Sequence, residues 1–248
     1  MRIAVLTDIH ANREAFEACV AQARRHGAAH WVFLGDFVGY GADPQAVVDG
    51  VRALLAEGGV AVMGNHDHAV VDPTAGEHMN DDAKRVVDWT RARLDGEARA
   101  FLAGLPMTVE QDDRLYVHAN AWEPPGWAYI AGTFDAARSL RATAARLTFC
   151  GHVHEPALYH QGADGRAAEF APHPGMPVPL ASPRRWLALP GSVGQPRDGL
   201  PAACWALYDT ATRAMTWWRV PYDRAAAARK VREAGLPESL ARRLERGA

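Results

Sequence analysis

Arg2-Ile3-Ala4-Val5-Leu6-Thr7 runs straight into Asp8-Ile9-His10. Ile3 to Leu6 is a short apolar run without alternation, the pattern of a strand buried on both faces in a parallel sheet. Working outward, Asn12 is placed to cap a helix that has Glu14 in its first turn. Ala15, Phe16, Cys19, Val20 and Ala23 then fall on one helical face. Trp31-Val32-Phe33-Leu34 repeats the strand pattern. Asp43-Pro44 starts a second helix, a cap followed by a first-turn proline. Val47, Val48, Val51, Leu54 and Leu55 form its apolar stripe, and Gly58-Gly59 ends it. Val60-Ala61-Val62-Met63 is a third strand. The segment up to residue 65 therefore reads βαβαβ, the signature of a layered α/β fold.

Residues 81–104 read as helical, and strands are expected at 114–118 and 146–150. From residue 156 onward the pattern turns to strands separated by Gly and Pro, with 185–190, 202–209 and 214–220 as the clearest. The proline-rich stretch 171–185 reads as a loop, and an Arg/Ala-rich helical tail covers 222–247. A chain of 248 residues suits one domain spanning 1–248 with a full core. Net charge is -2 with no basic blocks, so the electrostatic footprint of a nucleic-acid binder is absent. Cys19, Cys150 and Cys204 are scattered and odd in number, which fits neither a disulfide framework nor a CxxC metal site. They read as reduced, buried thiols of a cytoplasmic protein. No apolar run approaches membrane-spanning length, and the short first run reaches Asp8 too soon for a signal peptide.

The residues that carry chemistry follow apolar strands directly. Asp8-Ile9-His10 follows the first strand, Gly35-Asp36 the second and Gly64-Asn65-His66-Asp67 the third. His118 ends Tyr116-Val117, and Gly151-His152-Val153-His154 follows Leu147-Thr148-Phe149-Cys150. Carboxyl ends of strands line the ligand crevice in open α/β sheets. In extended backbone, residues i and i+2 point the same way, so Asp8 with His10, and His152 with His154, are expected as strand-end ligand pairs. Glycines before Asp36, Asn65 and His152 allow sharp turns and close approach. Carboxylate and imidazole together suit Mn, Fe, Co, Ni or Zn. Seven ligands exceed one tetrahedral site and fit two ions sharing a carboxylate.

The ordered set DxH, GD, GNHD, a lone His and GHxH resembles the calcineurin-like metallophosphoesterases, in particular a bacterial phosphoesterase or phosphodiesterase subgroup that Gly39-Tyr40-Gly41 and Gly191-Ser192-Val193-Gly194-Gln195-Pro196-Arg197-Asp198 also match. The resemblance implies a four-layer α/β/β/α sandwich with two facing mixed sheets. It implies one divalent ion on Asp8, His10 and His154, a second on Asn65, His118 and His152, and Asp36 bridging. It further implies phosphoester hydrolysis, with water between the ions deprotonated near neutral pH as the nucleophile. His66 matches the family's catalytic histidine, acting in leaving-group protonation or transition-state stabilisation, with Asp67 expected to orient it.

One departure bears on substrate. Ser/Thr protein phosphatases and dinucleoside tetraphosphatases of this family carry GDxxxRG, and Tyr40 stands where that arginine belongs. The expected substrate is a small phosphoester or nucleotide, with diesters ahead of monoesters and phosphoproteins behind. Asn65, Tyr40, Trp127 and Arg197 are the expected substrate contacts. Trp122, Trp127 and Tyr129 read either as an aromatic wall for a substrate ring or as rim packing. A catalytically inert protein-binding scaffold is the alternative of another class, and the presence of His66 with all seven ligands counts against it. His26, His30, His68, His78, His160 and His173 read as structural. Oligomeric state is not legible.

Overall fold

The computed structural model describes residues 1–72, 74–75 and 81–248, the side chains of Asp81 and Asp82 excepted; His78 lies outside the described residues. β1 (Arg2–Leu6), β2 (His30–Phe33) and β3 (Gly59–Ala61) pair in parallel in the order β3-β2-β1. β11 (Ala203–Asp209) and β12 (Ala214–Val220) extend that sheet antiparallel beyond β1, and the two-residue β9 (Val178–Pro179) closes it. A second sheet has its own parallel half, made of β5 (Arg114–Val117), β6 (Leu147–Phe149) and β10 (Arg185–Pro190). β4 (Thr108–Gln111) flanks it on one side, and β7 (Pro156–Gln161) and β8 (Ala167–Phe170) on the other, all antiparallel.

Alternation along the strands explains why both sheets are covered twice. Ile3, Val5, Val32, Leu34, Tyr116, Leu147, Phe149, Trp186 and Trp217 interdigitate between the sheets. Ala4, Leu6, Trp31 and Phe33 point the other way, toward α1 (Arg13–Arg25) and α2 (Pro44–Glu57). Leu115, Val117, Leu187 and Leu189 face Ala136 and Leu140 of α6 (Thr133–Arg141) on the far side. Strands apolar on both faces are the expected consequence of this sandwich. The four-layer α/β/β/α expectation holds, with two six-stranded mixed sheets.

Asn12 caps α1, its side-chain oxygen accepting from the Ala15 N–H, as read from sequence. The segment 81–104 divides into α4 (Asp81–Arg93) and α5 (Gly96–Ala103). Two helices were not anticipated, α3 (Asn65–Val71) and α6. The tail forms the hairpin α7 (Arg224–Glu233) and α8 (Glu238–Arg246). Leu240, Ala241 and Leu244 are buried while Arg242, Arg243 and Arg246 face solvent. Lys230 ties the hairpin down through Asp43 at 2.7 Å and Glu14 at 2.5 Å. No helix among the described residues is long and apolar enough to cross a membrane. All three cysteines are free and buried.

Candidate metal centre

The carboxyl ends of the two parallel half-sheets meet, and the loops leaving them converge. Backbone bonds weld them together. The Asp8 N–H donates to Gly35 O, His10 N–H to Asp36 O, Gly151 N–H to His118 O and Gly194 N–H to Asp8 O. Ser192 Oγ also donates to Asp8 O, at 2.9 Å. Asp8, His10, Asp36, His152 and His154 all have positive φ, between 48° and 68°. The expected i, i+2 pairing on extended strand ends is thus corrected. β1 and β6 stop at Leu6 and Phe149, and left-handed turns beyond them aim each pair inward. Such backbone in non-glycine residues is uncommon and clusters at functional sites.

Two groups of ligand atoms result. Asp8, His10, Asp36 and His154 form one, and Asp36, His118 and His152 the other, with Asp36 common to both. Asn65 Oδ1 lies 3.1 Å from His118 Nε2, which adds it to the second group. Asp8 Oδ1 and Asp36 Oδ2 are buried and have no hydrogen-bond partner among the described residues. They lie 3.3 Å from His154 Nε2 and 3.4 Å from His118 Nε2 respectively.

The outward nitrogen of each of the four ligand histidines is committed to a backbone carbonyl. His10 Nδ1 donates to Val38 O (3.1 Å), His118 Nδ1 to Leu34 O (2.7 Å), His154 Nδ1 to Gln195 O (2.7 Å) and His152 Nε2 to Trp127 O (2.9 Å). A carbonyl only accepts, so each of these nitrogens carries the proton and a neutral ring turns a lone pair inward. His10 Nε2 and His154 Nε2 then face each other at 3.1 Å, and His118 Nε2 and His152 Nδ1 at 3.2 Å. Lone pairs at that distance repel unless a cation lies between them. With two orphaned carboxylate oxygens, the donor set fits divalent ions of the borderline kind.

Electrostatics agree for His152 and His10. Burial, then the charge of His118, holds the His152 pKa down at about 4. Burial also lowers His10, outweighing Asp36. Burial opposes ionisation of Asp36, yet His118 and His66 hold its carboxyl well below the usual range. Burial opposes protonation of His118, but the Asp36 charge 3.4 Å away prevails and pushes it up to about 9.

His66 is buried at the N-terminal end of α3, its ring 4.4 Å from that of Tyr40 and 5.0 Å from that of His10. Its Nδ1 has no partner among the described residues. The expected contact from Asp67 is corrected. The Asp67 carboxylate instead accepts the backbone N–H groups of Asp36, Phe37, Val38 and Gly64. It shapes the turn that presents Asp36. Arg197 reaches Tyr40, its guanidinium carbon 5.9 Å from the ring centre, and donates to Gln195 Oε1 at 3.0 Å. Trp127 lies 5.9 Å from His118 edge-on, and Tyr129 stacks on His152 at 4.1 Å. Sequence reading missed Thr7, which donates to Asp8 Oδ2, and Ser192 and Gln195. The last two lie inside the glycine-rich run 191–198, which was the available signal; Thr7 had none.

A family model, the calcineurin-like phosphoesterase superfamily domain, matches residues 1–213. An uncharacterised protein of Methanocaldococcus jannaschii is 32% identical over 247 residues, covering 98% of this chain and 96% of its own. The crystal structure of a metallophosphoesterase from Sphaerobacter thermophilus superposes with a TM-score of 0.88 at 35% identity, covering 100% of this chain and 99% of that one. A hypothetical protein from Pyrococcus horikoshii shares the fold, with a TM-score of 0.80 at 21% identity over 100% and 98% of the two chains. Five ordered motifs, the sandwich that brings them together and these relatives agree: the chain belongs to the calcineurin-like phosphoesterase superfamily.

Proposed function

We propose that the protein hydrolyses phosphoesters, small phosphodiesters ahead of monoesters, at a centre of two divalent ions drawn from Mn, Fe, Zn, Ni or Co. The observation that carries this reading is the membership of Asp36 in both ligand groups, with its Oδ2 buried and without a hydrogen-bond partner among the described residues. When bound, such ions activate water at neutral pH and hold phosphoryl oxygens. Asp8, His10 and His154 hold one, Asn65, His118 and His152 the other, and Asp36 both. Burial keeps His66 below its ordinary pKa, so at neutral pH it serves as an N–H donor that stabilises charge in the transition state. Arg197 provides beside it the cation that the missing arginine would otherwise supply, and Tyr40 adds a hydroxyl. Trp127 and Tyr129 stand at the His118–His152 side, placed to meet an aromatic ring of substrate. Residues 1–248 act as one unit in this reading, because Leu240 and Leu244 of the tail cluster with Tyr40 and line one small gap with His10 and Gln195.

The test is hydrolysis of bis-p-nitrophenyl phosphate and p-nitrophenyl phosphate by metal-stripped protein reloaded with each ion. Metal-dependent turnover, faster on the diester and lowered roughly 10²-fold in His66→Ala, is expected. Absence of turnover with every ion, or an unaffected His66→Ala, overturns the reading.

A further inference from the structure

The ligand histidines are not held equally. Val38, Leu34 and Gln195, whose carbonyls fix His10, His118 and His154, lie on loops welded into the sandwich and are buried or follow buried strands. His152 alone is fixed by a surface loop, through the carbonyl of Trp127. Trp127 follows the short turn Pro124–Gly126 and has φ 52°, ψ 26°. Left-handed backbone in a bulky residue persists only where its surroundings over-determine it.

Beside the ring contacts of Trp127 with His68 and His118, one buried side chain ties both ends of this loop. Asn120 is fully buried. Its Nδ2 donates to the carbonyl of Ala128, the residue after Trp127, at 3.0 Å. Its Oδ1 accepts the Glu123 N–H at 2.8 Å. Both partners have fixed roles, so the orientation of the amide is settled by the network. One amide thus clamps both ends of the 123–128 loop. Its neighbour Ala121 is tied to α6 by donation to Ser139 Oγ at 3.0 Å.

We infer that Asn120 is a positioning residue for one of the two metal sites: by latching the 123–128 loop it holds the Trp127 carbonyl on His152 Nε2 and so keeps His152 Nδ1 aimed at the ion shared with His118 and Asn65. The Asp8–His10–His154 site does not depend on this latch. The inference rests on the two-ion reading above. Loss of an outer hydrogen-bond partner to a ligand lowers metal affinity about tenfold to hundredfold.

The experiment is calorimetric titration of metal-stripped protein with Co, together with the visible spectrum of the loaded form, for wild type, Asn120→Ala and Asn120→Asp. The aspartate keeps an acceptor for Glu123 but cannot donate to Ala128, and it retains the side-chain volume if the alanine variant fails to fold. Expected in both folded variants is one equivalent bound as in wild type and the second weakened about tenfold or more. Wild-type affinity at both sites in a folded variant overturns the inference and leaves the two-ion reading intact, as does equal weakening of both. A wild type that takes up no ion, or only one, overturns the two-ion reading itself and the inference with it.

Discussion

A β-carbon on Gly39 would fall 2.6 Å from Nδ1 of His66. The space that an alanine needs is occupied by the imidazole, and φ at Gly39 is +86°. Gly39 therefore sets where the ring sits, in place of any hydrogen-bond partner on that nitrogen. Gly39→Ala is expected to cost about 1–2 kcal/mol through left-handed strain. It also displaces His66, and misplacement of a catalytic group by an ångström costs about 10²-fold in rate. Both metal equivalents should remain. Kinetics on bis-p-nitrophenyl phosphate beside metal analysis will show it; full turnover in the variant contradicts the role given to His66.

Asp36→Asn removes the charge common to both ligand groups. Its Oδ1 is committed to the His66 N–H at 2.8 Å, so Oδ2 is the oxygen at stake. The variant is expected to weaken both ions together, whereas His10→Ala weakens one. Metal quantitation after gel filtration separates the two patterns. Two retained equivalents in Asp36→Asn would rule out bridging.

Arg197→Met should raise KM for phosphoesters with a smaller change in kcat. A hydrogen bond from a charged group contributes roughly 1.5–3 kcal/mol, or about 10- to 100-fold in kcat/KM. The loss should be larger for p-nitrophenyl phosphate, which carries the additional negative charge. Equal kinetics in variant and wild type would remove Arg197 from the substrate site.

Ions that bind only the folded chain must stabilise it. At free Mn of 100 times Kd, one site adds about 2.7 kcal/mol. For a chain of this size that raises Tm by roughly 5–10 °C. Differential scanning with and without chelator is the measurement. A chelator-independent Tm would argue that the facing lone pairs are not a metal site.

The layering was readable because strands buried on both faces leave unbroken apolar runs, as in Ile3–Leu6 and Trp31–Leu34. The ligands were readable because each follows such a run. How they converge was not. The left-handed φ of Asp8 and His152 arises from bonds to partners far along the chain, such as His152 N–H to Asp8 Oδ2. Asp67 looked like a partner for His66 because the two are adjacent, yet three of its four donors come from 29 to 31 residues away. The Trp127 carbonyl was invisible for another reason. A backbone oxygen has no residue type, so no motif records it. The two unforeseen helices are short: seven residues in α3, which begins on the GNHD motif itself, and nine in α6.

The turn that leaves β1 carries Asp8 and His10, yet the second neighbour of β1 is β11, with Arg2 opposite Asp209 and Val5 opposite Ala206. During synthesis the earliest ligands emerge first and wait. Their strand stays an unpaired edge on that side until residues 203–209 have left the ribosome, and contacts this distant in sequence form slowly. Nascent chains stalled before β11 should therefore expose an apolar edge and lack a finished metal centre, although all seven ligands have already been made.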